Sequence, residues 1–239
     1  MKYLDLSFPS PEENLACDEA LLAGAEKHEG PEILRFWESP KDFAVAGFSD
    51  KTGETLELDR CREARLPILR RPSGGSTVLQ GPGCLNYALI LSLPARPECS
   101  TLERTNRYVL NRHREALQPF FAQEIRIEGI SDLCLGDLKF SGNAQRRARK
   151  FVLFHGTFLV AFALKKIETF LKIPPRRPSY RHDRSHGSFL VNLGIAPGLL
   201  KEVLKKTWEA ASPLTDIPYA EIARLAREKY GDPAWNFKR

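Results

Sequence analysis

The sequence predicts an α+β protein built on a mixed central β-sheet flanked by helices, and three observations carry that expectation. Strand-like runs are interrupted by helical stretches without regular β-α alternation. Leu85 to Leu93 is apolar along nearly its whole length, as a central strand covered on both faces must be. Ser10-Pro11-Glu12-Glu13 and Ser100-Thr101-Leu102-Glu103 are capping boxes, so each opens a helix. With 239 residues and no internal repeat, low-complexity tract or evident linker, the chain fits a single domain over 1–239.

Taken in order, Lys2 to Phe8 alternates as a first strand. The first capping box then starts a helix to about Lys27 that buries Leu15, Leu22 and Ala16 or Cys17, with Asn14, Asp18 and Glu19 as its polar surface. Ile33 to Trp37 and Phe43 to Phe48 are expected to pair with each other across Glu38 to Asp42. Glu57 to Arg65 reads as a short helix leading into the strand Leu66 to Arg71, and Thr77 to Leu79 and Leu85 to Leu93 continue a sheet. The second capping box opens a helix whose buried side is Leu102, Val109, Leu110, His113 and Leu117, ending near Phe120. On that side His113 is a core histidine. Strands follow at Ile125 to Glu128, Asp132 to Leu135, Leu138 to Gly142 and Phe151 to Phe162, with Gly136-Asp137 as a hairpin turn. Ile173-Pro174-Pro175 closes a short helix, Arg176 to His186 is a basic loop, and Ser188 to Leu193 is a strand. Leu199 to Trp208 and Tyr219 to Tyr230 are terminal helices, the second ending at Gly231.

The charged fraction is ordinary, which argues against disorder. Met1 to Glu13 lacks the apolar core of a signal peptide. The five cysteines are odd in number and never spaced Cys-x-x-Cys, so they read as reduced thiols of a cytoplasmic protein without a zinc site or disulfide frame. Pro72 to Ala95 carries no charge, yet its three prolines and four glycines argue against a membrane-spanning helix. The net charge of +6 is uneven: between Lys139 and His186 twelve Lys or Arg stand against only Glu168 and Asp183. Such a basic face suits an anionic cofactor, an acidic protein or nucleic acid.

Two stretches read as one site. The first, Arg70-Arg71-Pro72-Ser73-Gly74-Gly75-Ser76, delivers two guanidinium groups into a turn that Pro72 stiffens and Gly74-Gly75 permit. Consecutive backbone N–H groups in such a turn form an anion-binding nest, and arginines beside it grip a phosphate or carboxylate bidentately. Taken alone, the same residues read equally as a tight hairpin with solvated arginines. The second stretch, Lys139-Phe140-Ser141-Gly142-Asn143-Ala144-Gln145, presents a lysine beside another small-residue turn. Asn86, polar within the apolar strand, is either a ligand contact or a member of a buried network, and its place beside the glycines favours the contact.

Arg70-Arg71, Gly74-Gly75, Val78, Gly83 and Leu85-Asn86, then the Lys139 stretch and His155-Gly156-Thr157, resemble the lipoate-protein ligase A family, within the biotin and lipoate ligase superfamily. Asn14-Leu15-Ala16 with Asp18-Glu19, and Trp235-Asn236, extend the likeness over nearly the whole chain. The resemblance implies a ligase fold related to class II tRNA synthetases. It further implies ATP-dependent activation of lipoate or octanoate as acyl-AMP, then transfer to a lysine of a lipoyl-carrier protein, either a lipoyl domain or a glycine-cleavage H-like protein. Lys139 is then the catalytic residue, contacting acyl carbonyl and phosphate. Arg70, Arg71, Ser73, Gly74, Gly75, Ser76, Asn86, Ser141, Gly142, His155 and Gly156 are the residues expected to bind acid and adenylate. Magnesium is expected with ATP, although no carboxylate cluster nominates its ligands, and neither a Walker loop nor a Rossmann fingerprint is present.

The pattern departs from the family at Ser76, often a third glycine, and at Gln80, often a histidine. The chain also stops at Arg239, where longer ligases continue into an accessory domain, so an accessory-domain polypeptide is a candidate partner. An octanoyltransferase of the same superfamily is the main alternative. It needs a thiolate, whereas Cys84 and Cys134 read as packing residues and nothing from Leu135 to Arg239 is a cysteine. A nucleic-acid-binding module using Arg146, Arg147, Arg149, Lys150 and the Arg176 to Arg184 loop is a third reading, unsupported by any DNA- or RNA-binding motif. An acidic lipoyl-carrier domain fits that face better. Tyr180, Arg181, Arg184 and His186 either line the site or form a solvated rim. Biotin remains a formal alternative substrate.

Overall fold

Side-chain alternation along Cys84–Ser92 (β6) sets the architecture. In the computed structural model, which describes residues 1–175 and 177–238, Leu85, Tyr87, Leu89 and Leu91 enter one apolar cluster, while Ala88 and Ile90 enter another on the opposite face. Each face of the strand thus needs its own cover.

The elements run β1 (Lys2–Asp5), α1 (Pro11–His28), β2 (Ile33–Trp37), β3 (Phe43–Ala46), α2 (Thr52–Thr55), α3 (Leu58–Glu63), β4 (Ile68–Arg70), β5 (Val78–Gln80) and β6. They continue as α4 (Leu102–Leu117), β7 (Ile125–Glu128), β8 (Asp132–Leu135), β9 (Leu138–Arg147), β10 (Phe151–Leu159), α5 (Lys165–Phe170), α6 (Pro197–Thr207), β11 (Ser212–Pro213), α7 (Tyr219–Leu225) and α8 (Pro233–Asn236). An eight-stranded sheet has the order β11-β1-β2-β6-β10-β9-β8-β7, and a three-stranded sheet the order β4-β3-β5. The expected mixed sheet is present: β1 runs parallel to β2 and β11, and the strands from β2 to β7 pair antiparallel. Val109 and Leu110 of α4 and Leu200 and Leu204 of α6 cover one face; α1 and Ile222 and Leu225 of α7 cover the other.

The first helix start follows the expected chemistry. The second is shifted by one residue, with Thr101 rather than Ser100 as its cap, so the Ser100–Glu103 box is not formed, Glu103 pairs with Arg107 instead, and Leu102, expected on the buried side, is exposed. Ser10 Oγ accepts the Glu13 N–H and donates to Glu13 Oε2, and Thr101 accepts the Arg104 N–H. Several expectations are corrected. β2 and β3 do not pair: β2 is buried on both faces and takes β1 and β6 as neighbours, and the Pro40 turn sends β3 into the small sheet. Ser188 to Leu193 is not a strand. Phe189 O accepts the Lys139 N–H and Val191 N–H donates to Lys139 O, a single bridge where β10 has ended and the β9 edge is open. The last long helix breaks at Leu225 into a π turn over Ala226–Tyr230, and Gly231 is not left-handed.

The polar surface assigned to α1 is overturned as well. Asn14 and Asp18 are buried, because Arg35, in the middle of an otherwise apolar β2, requires partners on the face that α1 covers. Arg176, counted in the basic loop, lies outside the described residues. His113 is the expected core histidine, accepting from Trp208 Nε1 at 2.8 Å, and burial pushes its pKa down to about 3.

Candidate active site

Register across the wide sheet builds the floor of the site. Trp37 stands opposite Asn86, Asn86 opposite Thr157, Thr157 opposite Gly142, and Gly142 opposite Asp132; the next row holds Arg35, Ala88, His155 and Ala144. Paired residues share a face, here that of α1. Between this floor, the three-stranded sheet, the first turns of α1 and the segments 172–175 and 177–190 lies a cavity of about 980 Å³. Leu15, Trp37, Val45 and Val78 supply apolar wall, and Lys139, Arg71, Gln80 and His155 polar wall.

A bulge aims the lysine. In the β8–β9 pairing Lys139 faces Cys134 and Ser141 faces Leu133, leaving Phe140 as the extra residue; Phe140 enters the core while Lys139 lines the cavity. Lys139 Nζ lies 2.8 Å from Asp132 Oδ1, and Asp132 Oδ2 accepts the Tyr180 hydroxyl at 2.6 Å. Burial and the Asp132 charge push the Tyr180 phenol up, so it remains a donor. A Cβ on Gly142 would sit 3.0 Å from Lys139 Nζ, so the missing side chain leaves room for the ammonium across the floor.

The glycine turn is held from inside. Gly75 has φ +89°, and a Cβ on Gly47 would fall 1.7 Å from Gly75 O, so two glycines let these backbones touch. The Arg71 guanidinium donates to Gly74 O (2.6 Å), Ser76 O (3.0 Å) and Val45 O (3.1 Å), and burial lowers its pKa to about 10. Arg70 is turned away from the cavity: its guanidinium donates to the carbonyls of Gly47, Phe48, Asp50 and Asn236. The expectation that both arginines present themselves to an anion is therefore corrected. A buried guanidinium must spend its donors, and the carbonyls at the end of this small sheet are the nearest acceptors. Trp235 Nε1 donates to Arg70 O and Asn236 Oδ1 accepts the Arg70 N–H, so the Trp235-Asn236 pair braces β4.

Of the residues expected to bind substrate, Lys139, Arg71, Gly75, Ser76, Asn86, Ser141, Gly142, His155 and Gly156 line the one cavity, and Arg70, Ser73 and Gly74 do not. The Ser141 hydroxyl bonds to Asn143 Oδ1, which also takes the Tyr87 hydroxyl, and a Cβ on Gly156 would clash with that Asn143 oxygen at 1.7 Å. Ser73 acts through a neighbour, its Oγ lying 2.6 Å from His155 Nε2.

Sequence reasoning missed what stands behind His155. Asp18 Oδ2 is 3.4 Å from His155 Nδ1 and Asp18 Oδ1 is 2.5 Å from Arg35 NH1. Burial pushes the Asp18 carboxyl up, but the Arg35 charge and the bonds from His155 and Arg35 outweigh it and hold the group below its ordinary value. As an anion Asp18 only accepts, so His155 Nδ1 is the donor in this bond. The clue was Arg35 itself, a lone charge among Ile33, Leu34, Phe36 and Trp37. Asp132, expected only as a hairpin residue, had no local signal.

Gln80, in place of histidine, belongs to a second chain of bonds. Asn86 Nδ2 donates to Cys84 O, so Asn86 Oδ1 accepts from Thr157 Oγ1 at 2.5 Å, and Thr157 in turn accepts from Gln80 Nε2 at 2.6 Å. Gln80 Oε1 is left buried with no partner among the described residues. Asn86 is thus both a network member and part of the cavity wall.

All five cysteines are buried and none lines the cavity. Burial pushes the thiols of Cys17 and Cys84 up to about 12 and that of Cys134 up to about 11, the reverse of what a thiolate nucleophile requires. The basic face is partly neutralised, Lys150 pairing with Glu29 and Lys166 with Asp42, while Arg147 keeps its charge and spends its donors on Cys99 O, Ser100 O and Thr105. Among the described residues no group of three or more His, Cys, Asp or Glu gathers to hold a metal. No helix among them is long and apolar enough to cross a membrane.

Residues 10–196 match the model of the lipoyl protein ligase A/B catalytic domain. Octanoyltransferase LipM of Geobacillus kaustophilus is 26% identical over all of this chain and 98% of its own length, and lipoate–protein ligase 1 of Staphylococcus aureus is 24% identical over all of this chain and 74% of its own length. In fold, the chain is similar to a bi-partite lipoate protein ligase from Thermoplasma acidophilum (TM-score 0.82, 20% identity, 99% of this chain and 95% of that one). It is likewise similar to a lipoate-protein ligase A solved with bound ATP (TM-score 0.80, 20% identity, 99% of this chain and 98% of that one). The chain belongs to the lipoyl protein ligase A/B catalytic domain family.

Proposed function

We propose that this protein is an ATP-dependent lipoate–protein ligase that activates lipoate or octanoate as the acyl adenylate and transfers it to a lysine of a lipoyl-carrier domain. The observation that carries this reading over thioester exchange is that no cysteine lines the cavity holding Lys139. A carboxylate does not acylate an amine at neutral pH because oxide is a poor leaving group. Attack of a carboxylate oxygen on the α-phosphorus breaks the bond to the β-phosphate, releases pyrophosphate and leaves a mixed anhydride. The acceptor amine then attacks the acyl carbon, the bond to AMP breaks, and the amine proton leaves to solvent.

Both steps concentrate negative charge, and aimed positive charge and donors lower their barriers. Lys139, lying over Gly142, supplies the charge. The apolar wall of Leu15, Trp37, Val45 and Val78 suits the hydrocarbon of the acid, and Gln80 Oε1 suits a ligand N–H or O–H. The bi-partite ligase of similar fold is described with its E2 lipoyl domain, which supports a lipoyl-carrier acceptor here. Magnesium is proposed to arrive with the nucleotide.

The test is incubation of the pure protein with ATP, lipoate and a lipoyl domain, with the domain weighed by mass spectrometry and pyrophosphate measured alongside. A gain of one lipoyl group with pyrophosphate release, both lost in Lys139→Ala, is the expected result. Activation without transfer would point to a second polypeptide for the second step. The full-length similarity to an octanoyltransferase favours one rival reading. Octanoylation of the domain from octanoyl-acyl carrier protein without ATP would replace the ligase with that transferase.

A further inference from the structure

The segment that closes over Lys139 carries a guanidinium with an unspent donor. Arg181 is 4% exposed, lines the cavity, and keeps its NH2 group buried without a hydrogen-bond partner among the described residues. The side chain is nonetheless fixed. Its Nε–H donates to Arg184 O at 3.2 Å, and its guanidinium carbon lies 4.7 Å from the Phe189 ring centroid. Among the described residues, the charges that shift it are those of Arg177, Tyr180 and Arg184, and no carboxylate is among them. Its neighbours differ in this respect: Arg177 pairs with Asp183, and Arg184 spends its donors on the carbonyls of Arg181, Asp137 and Tyr180.

Burying a permanently charged group without a counter-ion is costly, and an anion entering the cavity recovers that cost. Arg181 is tied to the reacting end by its own segment. The preceding residue, Tyr180, bonds to Asp132, which pairs with Lys139. The ring on which Arg181 rests belongs to Phe189, whose carbonyl accepts the Lys139 N–H. His186, also lining the cavity, is held below its ordinary pKa by burial and then by the Arg181 charge, with Glu168 opposing.

We propose that Arg181 anchors a phosphoryl group of the substrate whose acyl or α-phosphoryl centre reacts at Lys139. This rests on the acyl-transfer reading above and extends it to one residue. The planar fork of a guanidinium matches two phosphate oxygens. Two substrates carry that chemistry: the polyphosphate of a nucleoside triphosphate, and the phosphate of a phosphopantetheine-linked acyl donor.

The experiment is calorimetric titration of the intact protein, its Arg181→Met and Arg181→Lys variants, and Arg62→Met, which removes an exposed charge elsewhere. The probes are inorganic pyrophosphate and pantetheine 4′-phosphate. Pyrophosphate affinity is expected to fall at least about tenfold in Arg181→Met, as for loss of a charge-assisted bond. Arg181→Lys, which keeps the charge and loses the fork, should fall less, and Arg62→Met should match wild type. Dependence on Arg181 for pantetheine 4′-phosphate alone would uphold the anchor while overturning the ligase. Equal affinity of wild type and Arg181→Met for both probes, or binding of neither by wild type, overturns the proposal. Should the methionine variant fail to fold, unchanged binding of both probes by Arg181→Lys does the same.

Discussion

The Lys139 ammonium and the Asp132 carboxylate, 2.8 Å apart across a bulged strand pair, form the ion pair on which the proposed chemistry turns. Asp132 also holds Tyr180, so a single carboxylate ties the floor of the cavity to the segment above it. Lys139→Ala is expected to lower kcat/KM for the carrier domain by about 10²-fold or more. Asp132→Asn keeps the shape but loosens the lysine. It should lower kcat by about tenfold, within the ~10²-fold range that misplacement of a reacting group costs, while KM for the acid changes little. Steady-state kinetics on both variants check this, and a KM effect alone would assign Asp132 to binding instead.

Gly142→Ala separates position from fold. The new Cβ would meet Lys139 Nζ at 3.0 Å and Cε at 3.1 Å, the flexible end of a side chain rather than backbone. The protein is expected to melt within a few degrees of wild type and to lose about tenfold or more in kcat as the ammonium is displaced. Normal turnover in this variant would show that the lysine need not lie over Gly142.

Thiol chemistry should be dispensable. Alkylation of the native protein with iodoacetamide at pH 8 is expected to be slow and to change activity less than about twofold, because all five thiols are buried and raised. Rapid inactivation, with a mass increase mapped to one cysteine, would reverse the assignment.

Stability should fall as the solution is acidified below neutrality. His113 and His186 are both held below their ordinary values, chiefly by burial, so the unfolded chain takes up their protons first. Their contribution is complete above an unfolded pKa near 6.5 and is lost as pH falls towards the folded values, about 3 for His113. The loss for His113 is at most about 1.4 kcal/mol per pH unit. Asp18, also depressed, adds its loss only below the ordinary carboxylate range. Urea midpoints between pH 7 and 5 test this, and His113→Gln should flatten the profile.

Breaking the buried pair behind His155 is the costliest single change expected. Asp18→Ala leaves the Arg35 guanidinium without its carboxylate in the core, at a cost of about 3–5 kcal/mol read by denaturant titration. Asp18→Asn should cost less, since an amide oxygen still accepts.

The sequence by itself determined the start of the first helix, the apolar central strand, the Gly136 hairpin and the site-bearing stretches, because caps, alternation and glycine turns are written in neighbouring residues. Their convergence on one cavity was legible as well, since the spacing of the arginine turn and the lysine hairpin follows the family pattern. Tertiary structure decided which charges look inward. Arg70 and Arg71 share a dipeptide, yet one is consumed by the carbonyls of Gly47, Phe48 and Asp50 while the other clamps its own turn. Asp18 reads as helix surface until Arg35 is seen beneath it, and Asp132 as a hairpin residue until a bulge brings Lys139 to its side. Ion pairs in the interior depend on partners far apart along the chain, and only the folded sheet brings them within reach.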